Sequence, residues 1–418
     1  MADSKQKIAI IIQRYGTKVN GGAEVHCRLI AEALAIDYDV TVLTTCAKEY
    51  TTWKPEFSVG EYIENNVTIK RFANEPRGSK AKLRYIRHKI TNRLWYNYLL
   101  PGKGLKNFAE KIFPSIKIIE NDYNEWLKLQ GPYSKTLVDF LSNNSNQFAV
   151  YIFFSMLYYP TAVGIHHVKE KSILIPTLHN EKASLYPMYS GVINAAQWLF
   201  YNTEIEKKLA ESMYDVSHKQ NDIVGVGITV PTFNETSIAT VSIKTDYILC
   251  LGRIDANKGS YKLIEYFIKF KKNNNFKNLK LVMVGNASKP PKQFPDVIYT
   301  GFVDEYTKLQ LLINCKCLVV PSKYESLSMV LLEAFYYKKP VIVNELCEVL
   351  QYHIVKSKAG YSYTSYQEFE ERLQSLIQNP ILCNQLGQLG YDYVNTHYNW
   401  STIMAKFKKV INSISLTT

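Results

Sequence analysis

The stretch Tyr247-Ile248-Leu249-Cys250-Leu251-Gly252-Arg253-Ile254-Asp255-Ala256-Asn257-Lys258-Gly259 decides how this chain is read. Its first five residues form an apolar run that predicts a buried strand over 247–251, and the amphipathic pattern after it predicts a helix over 258–270. Arg253 and Lys258 then stand at a strand end and a helix start. Two cations placed there can hold a diphosphate together with the helix dipole. Two unrelated surface cations are the plainer reading of the same pair.

Working outward, apolar runs alternate with amphipathic segments almost from end to end. Strands are expected over 7–13, 40–45, 67–72, 149–154, 172–177 and 198–201, and helices over 23–34 and 133–141. After the unit that opens at Tyr247, strands are expected over 279–284, 317–320 and 341–343. Helices are expected over 305–314, 327–337, 367–377, 382–396 and 401–414. This alternation builds a parallel sheet covered on both faces. It pauses at residues 230–245, a Thr-, Ser- and Asn-rich run that reads as a junction between two domains. The chain has 418 residues, and at roughly 100–200 residues per domain two domains are the default. Two open α/β domains, each with ligand-binding loops at the carboxyl ends of its strands, would face each other across a cleft.

Composition narrows the class. Apolar residues make up 46% of the chain and charged residues 21%, which suits a packed protein rather than a disordered one. Seven cysteines lie far apart with no CxxC pair, which argues against a disulfide framework or a zinc knuckle and for a reducing compartment. The first seven residues are polar and the apolar run at 8–12 is too short for a signal-peptide core, so a cytoplasmic location is expected. Residues 148–165 carry no charge over 18 positions, which reaches the lower bound for a membrane span. Pro160 and the polar-capable Tyr151, Ser155, Tyr158 and Tyr159 speak for a strand and loop instead.

The formal net charge is +13. Its densest part is residues 77–111, bounded by Arg77 and Lys111, with ten Lys/Arg against one carboxylate, Glu110. Leu83, Tyr85, Ile86, Leu94, Trp95, Tyr96, Tyr98, Leu99 and Leu100 are interleaved there. Such a stretch can hold an anionic membrane surface, at about 1 kcal/mol per surface cation, or a phosphate-rich acceptor. Nucleic acid is the other electrostatic partner, and a solvated surface helix needs no partner.

Two further constellations carry chemistry. Gly21-Gly22, in the loop before the first helix, lets backbone N–H groups approach an anion, although a tight turn alone also explains the pair. The sharper one is Glu325-Ser326-Leu327-Ser328-Met329-Val330-Leu331-Leu332-Glu333, after a buried strand ending in Pro321-Ser322. Its carboxylates are eight residues apart, about 12 Å if both were helical. A glycosidase pair needs roughly 5–9.5 Å. Glu325 and Glu333 therefore fit opposite ends of an extended ligand, with the helix amino terminus between them.

Glu325 and Glu333 match the E-x7-E signature of the GT4 family of retaining, GT-B-fold glycosyltransferases, which the chain resembles over nearly its whole length. Gly21-Gly22, Gly252-Arg253 with Lys258, and the two-domain order fall where that family places them. The resemblance implies an α/β GT-B fold of two Rossmann-like, doubly wound parallel-sheet domains. Residues 1–229 would be the acceptor domain, 230–400 the nucleotide-sugar donor domain, and 401–418 a terminal helix packing back on the first. It also implies site roles. Arg253 and Lys258 would bind the donor pyrophosphate, Glu333 the ribose hydroxyls, and Glu325 the donor-sugar hydroxyls near the reacting carbon. Backbone groups of Ser326, Leu327, Ser328 and Met329 would line sugar and phosphate. His179, in Pro176-Thr177-Leu178-His179, matches the family's histidine at a first-domain strand end.

The chain departs from the pattern where Ser326 and Ser328 replace glycines and Leu327 replaces a common aromatic. Those changes bear on the choice of donor. Asp37-Tyr38-Asp39 is a literal DxD, but it falls between the first helix and second strand, where turn carboxylates are common, and no metal or other cofactor is expected. His166-His167 lacks a ligand partner at metal spacing and reads as a helix end. The expected partners are a nucleotide-diphosphate sugar, a saccharide or lipid-linked acceptor and an anionic membrane surface, the enzyme acting at the inner face of the cell membrane in capsule or lipopolysaccharide assembly. A sugar-nucleotide epimerase, a phosphorylase on the same fold, and a non-enzymatic membrane- or nucleic-acid-binding protein are the alternatives.

Overall fold

The structure is a computed structural model and describes residues 5–99, 120–229, 239–287 and 289–417. The chain divides into two compact units. One comprises Met1–Val224 with Met404–Thr418, and the other Gly225–Ile403.

The first unit is built on an eight-stranded sheet. Its strands are β1 (Lys7–Ile11), β2 (Asp39–Thr45), β3 (Gly60–Glu64), β4 (Val67–Phe72), β5 (Val150–Phe154), β6 (Ser172–Ile175), β7 (Trp198–Tyr201) and β8 (Gln220–Ile223). They lie in the order β3-β4-β2-β1-β5-β6-β7-β8. β1 and β5 are apolar almost throughout because helices cover both faces, and Ile8 to Ile11 and all of β5 are buried. The sheet is not wholly parallel. β3 pairs antiparallel with β4 through a tight turn at Asn65-Asn66, both at positive φ. Sequence periodicity missed β3 because it is a polar, largely exposed edge strand. It missed β8 for a similar reason: Gln-Asn-Asp-Ile carries no apolar run.

In the second unit β9 (Tyr247–Leu251), β10 (Lys280–Val284), β11 (Val297–Gly301), β12 (Leu318–Val320), β13 (Val341–Asn344) and β14 (Gly360–Tyr363) form a parallel sheet in the order β11-β10-β9-β12-β13-β14. The chain ends in the helix Trp400–Thr417, where Ile403, Phe407, Val410, Ile411 and Ile414 are buried at helical spacing. Phe407 meets Phe200 of β7 edge-on at 5.0 Å, Lys406 pairs with Asp222 at 3.0 Å, and Lys408 pairs with Asp37 at 2.8 Å. One carboxylate of the Asp37-Tyr38-Asp39 run is thereby engaged in holding this helix.

Two stretches singled out in the sequence can be followed in the structure. The uncharged run 148–165 is strand β5, a turn at Ser155 and the six-residue helix Tyr159–Gly164, not one apolar helix. No helix among the described residues is long and apolar enough to cross a membrane. The basic stretch 77–111 contains the helix Lys80–Leu99, whose Ile86 and Ile90 are buried against the helix Glu120–Gln130. Lys82 and Lys89 pair with Glu125 and Asp122 of that helix at 2.5 and 2.7 Å. Ile86, Ile90 and Lys89 are thus turned into the packing, while Lys82 makes its pair at the surface. Arg84, Tyr85 and Arg87 remain exposed, while residues 100–111 and the side chains of Leu94 to Leu99 lie outside the described residues.

Candidate active site

In the second unit the strands run outward from β9 in both directions, β10 and β11 one way and β12 to β14 the other. The loops after β9 and β12 therefore leave the sheet side by side at the switch point, where open α/β sheets take ligands. Glycines let these loops close. Gly259, at φ 70°, caps the helix Ser260–Asn273, and a Cβ there would lie 2.2 Å from the main-chain oxygen of Pro321 after β12. Gly285, after β10 at φ 135°, would place a Cβ 2.1 Å from the Gly252 carbonyl oxygen.

This closure brings Lys258 to Glu325, with Nζ 2.6 Å from Oε1. The Lys258 main-chain N–H donates to Asp255 Oδ1 at 2.8 Å, and Asp255 Oδ2 lies 3.5 Å from Arg253 Nη1. Arg253, Lys258 and Glu325 are thus gathered at one strand edge from two loops. Arg253 is 47% exposed and Lys258 31%, so both cations can still reach an incoming anion.

Glu325 is not helical. The helix begins at Met329 and runs only to Tyr336, so the 12 Å spacing expected for two helical carboxylates does not apply. Its amino-terminal cap is Ser328, a buried non-glycine residue in the left-handed region at φ 67° and ψ 74°. This is one of the positions where the resembled pattern carries glycine, and glycine would adopt that backbone freely. The Ser328 hydroxyl has no partner among the described residues. Beside it, the Leu327 carbonyl accepts a hydrogen bond from His353 Nε2 at 2.9 Å, while the other ring nitrogen lies 3.0 Å from the Tyr393 hydroxyl. His353 is fully buried, and burial pulls its pKa down to about 4, so it is neutral at pH 7. The sequence held one sign of it: a histidine on the apolar stripe of Leu350 and Ile354.

Glu333, on the helix Met329–Tyr336, faces Lys308 of the helix Glu305–Asn314, Oε1 to Nζ 3.0 Å, and Lys308 also pairs with Glu305 at 2.7 Å. Burial pushes the Glu333 carboxyl up and Lys308 partly offsets this. Burial also works against the Lys308 charge, but the two carboxylates outweigh it and hold that pKa above the ordinary value. Glu333 Oε2 and the nearby Tyr337 hydroxyl are buried without partners among the described residues. Sequence reasoning missed Lys308, because nothing in its own helix marks it.

The first unit holds the remaining expected residues. Gly21 precedes the helix Gly22–Leu34, and a Cβ on it would strike Glu24 Oε2 at 2.0 Å. Glu24 is tied to Arg14 in a buried pair, Nη2 to Oε1 2.5 Å, with Gln13 donating to the same oxygen at 2.9 Å. Gly21 is thus needed for that pair to form, whereas the space around Gly22 is open. His179 follows β6 by four residues, with Nδ1 3.3 Å from the Thr177 carbonyl and Nε2 3.4 Å from Glu181 Oε1. Its loop is pinned by the buried Glu206, which accepts from the main-chain N–H groups of Leu178 and Asn202 at 2.5 and 2.6 Å. Burial pushes the Glu206 carboxyl up to about 8 against those two N–H groups.

The family model described as Glycosyl transferases group 1 matches residues 238–393. Those residues, which lie within the second unit, are similar to group 1 glycosyl transferases. All of Arg253, Lys258, Glu325, Ser328 and Glu333 fall inside the matched residues. The alpha-1,3/1,6-mannosyltransferase ALG2 of Dictyostelium discoideum is 26% identical over 119 residues, so the chain spans 28% of the length of that curated relative. Sucrose-phosphate synthase from Thermosynechococcus elongatus matches with a TM-score of 0.67 at 15% identity, over 99% of this chain and 100% of that one. WaaG, a glycosyltransferase involved in lipopolysaccharide biosynthesis, matches with a TM-score of 0.61 at 14% identity, over 97% and 99%. TarM matches with a TM-score of 0.64 at 13% identity, over 98% and 99%. At these identities the likeness is one of fold. The chain has the GT-B fold.

Proposed function

We propose that this protein is a retaining glycosyltransferase that moves a sugar from a nucleotide-diphosphate donor to a hydroxyl of a saccharide or lipid-linked saccharide. The observation that carries the reading is the Lys258–Glu325 pair at 2.6 Å, with Arg253 alongside, at the switch point of the second sheet. A diphosphate needs cations and a helix amino terminus, and a sugar held by its hydroxyls needs a carboxylate close to those cations. That edge supplies them all.

In this reading Arg253, Lys258 and the amino terminus of the helix Met329–Tyr336 hold the diphosphate and stabilise the charge that grows on it as the sugar leaves. Glu325 accepts from donor-sugar hydroxyls, Glu333 Oε2 accepts from the ribose, and backbone groups of Ser326 to Met329 line the sugar. The bond between the anomeric carbon and phosphate oxygen breaks as the acceptor oxygen attacks from the same face. The acceptor proton passes to the departing phosphate, so no protein nucleophile is required. Gly21, Gly22 and His179 in the first unit serve the reacting sugar and its acceptor, and His179 favours charge on the leaving group. Transfer proceeds without a metal. The acceptor belongs to a surface polysaccharide such as capsule or lipopolysaccharide, reached at the cytoplasmic face of a membrane through the basic stretch 77–111, in which Arg84, Tyr85 and Arg87 are exposed.

The deciding experiment is a thermal-shift and product-release screen against UDP-, GDP-, ADP-, CDP- and dTDP-sugars. One nucleotide class should raise the midpoint of the wild type, by about 2.7 kcal/mol of stability at one hundred times its dissociation constant, and should leave Arg253→Ala and Glu333→Ala unmoved. No stabilisation by any of them would overturn the reading. Sedimentation with vesicles of anionic phospholipid tests the membrane contact, and equal binding by an Arg84→Ser, Arg87→Ser variant would remove it.

A further inference from the structure

The carboxyl edge of the first sheet carries a cluster that the transfer chemistry above does not use. Trp53 follows β2, Arg77 follows β4 and Tyr158 follows β5, so parallel strands on both sides of the β1–β5 switch deliver them to one edge. The Arg77 guanidinium stands 5.2 Å from the Trp53 ring centroid, and Tyr158 meets the same ring edge-on at 5.5 Å. Arg14 lies 6.0 Å from the same ring centroid.

The two arginines are in different states. Arg14 is fully engaged, by Glu24 and by the carbonyls of Lys48 and Asn20. Arg77 is not. Its Nη2 donates to the carbonyls of Tyr50 and Gln130 at 3.2 and 3.3 Å, its Nε is buried with no partner, and no carboxylate among the described residues pairs with it. Burial pulls its pKa down, and Arg87 adds a like charge. Arg87 is itself exposed over Trp126, at 5.9 Å, without a carboxylate partner among the described residues. The two carboxylates that Tyr158 feels are turned elsewhere, Glu24 to Arg14 and Glu181 to His179. A guanidinium that has shed water without gaining a counter-ion is costly, and an arriving anion with two acceptor oxygens offsets that cost.

We infer that Arg77 and Arg87, with the Tyr158 hydroxyl, form a subsite for an anionic group, phosphate or carboxylate, carried by the acceptor saccharide. The naming of that ligand as the acceptor rests on the transferase reading; the anion subsite itself does not. Arg77 supplies planar donors, Tyr158 a neutral hydroxyl donor whose pKa burial raises to about 12, and Arg87 the second charge.

The test is calorimetry on the full chain with glucose 6-phosphate, glucuronate and glucose, each at low salt, with and without a saturating nucleotide sugar. At least one anionic sugar should bind ten times more tightly than glucose and should still bind beside the nucleotide sugar. The phosphate and carboxylate arms identify which group the subsite takes. Arg77→Gln and Arg87→Gln should each weaken that binding tenfold or more and leave the nucleotide-sugar dissociation constant within twofold. Arg87 holds no main-chain carbonyl among the described residues, so its variant is expected to fold even if Arg77→Gln does not. Equal binding of glucose, wild-type binding by Arg87→Gln, or no anionic-sugar binding by a protein that binds nucleotide sugar would each overturn the inference. Failure of every nucleotide sugar, with arginine-dependent anion binding intact, would instead strike the transferase reading.

Discussion

Lys258 Nζ lies 2.6 Å from Glu325 Oε1, and that contact joins the loop after β9 to the loop after β12. The residues are 67 apart in the chain. They meet because β9 and β12 are neighbours in the sheet and Gly259 lets one loop rest on Pro321 of the other. The pair is partly exposed, so its worth lies in pre-placing a cation and a carboxylate rather than in holding the fold.

Lys258→Ala and Glu325→Gln should therefore each lower the transfer rate on the order of 10²–10³-fold while changing stability by less than about 1 kcal/mol. Steady-state kinetics beside chemical denaturation checks this. A large loss of stability with little loss of rate would contradict it.

Glu333 should give donor binding an acid limb. Burial raises its carboxyl pKa, and only the ionised form accepts from a ribose hydroxyl without also offering a proton. Donor KM should rise as pH falls through that raised value. Lys308→Met removes the charge that offsets the rise, so the limb should move to higher pH, and Lys308→Arg should restore it. Superimposable KM–pH curves for wild type and Lys308→Met would refute this.

His353 predicts a pH-dependent stability of definite sign. Its folded pKa, about 4, lies below the ordinary value of 6.5. Its contribution is full above pH 6.5, where the ring is neutral in both states, and is lost as pH falls toward 4. At pH 5 the loss is on the order of 2 kcal/mol. His353→Gln can still donate to the Leu327 carbonyl but does not titrate. Urea denaturation at pH 7 and pH 5 should show a smaller drop for the variant than for the wild type.

Ser328→Gly should stabilise the unliganded protein by about 1 kcal/mol, since glycine adopts φ 67° without the steric cost that serine bears. Among the described residues its hydroxyl makes no hydrogen bond whose loss would cancel the gain. An unchanged or lower denaturation midpoint would show that the left-handed backbone at this position carries no strain.

EDTA should leave the transfer rate unchanged, because the proposed leaving-group stabilisation comes from Arg253, Lys258 and a helix amino terminus. A rate that collapses with chelation and returns with added magnesium or manganese would show that a metal shares that role.

Local pattern alone determined that this chain is α/β. The buried strands β1, β5, β9 and β10 announce themselves as unbroken apolar runs, and the long helices as apolar stripes, because burial on one or both faces demands those periods. The same local chemistry marked Arg253, Lys258, Glu325 and Glu333. Edge strands β3 and β8 were illegible, because strands with solvent on one side need no apolar run. Tertiary structure alone decided which side chains meet. The ion pair of Lys258 with Glu325, the hold of Lys308 on Glu333, the grip of His353 on the Leu327 carbonyl and the uncompensated charge of Arg77 all join residues distant in sequence. Strand order sets such partnerships, and strand order is a property of how the sheet assembles, not of any window of residues along the chain.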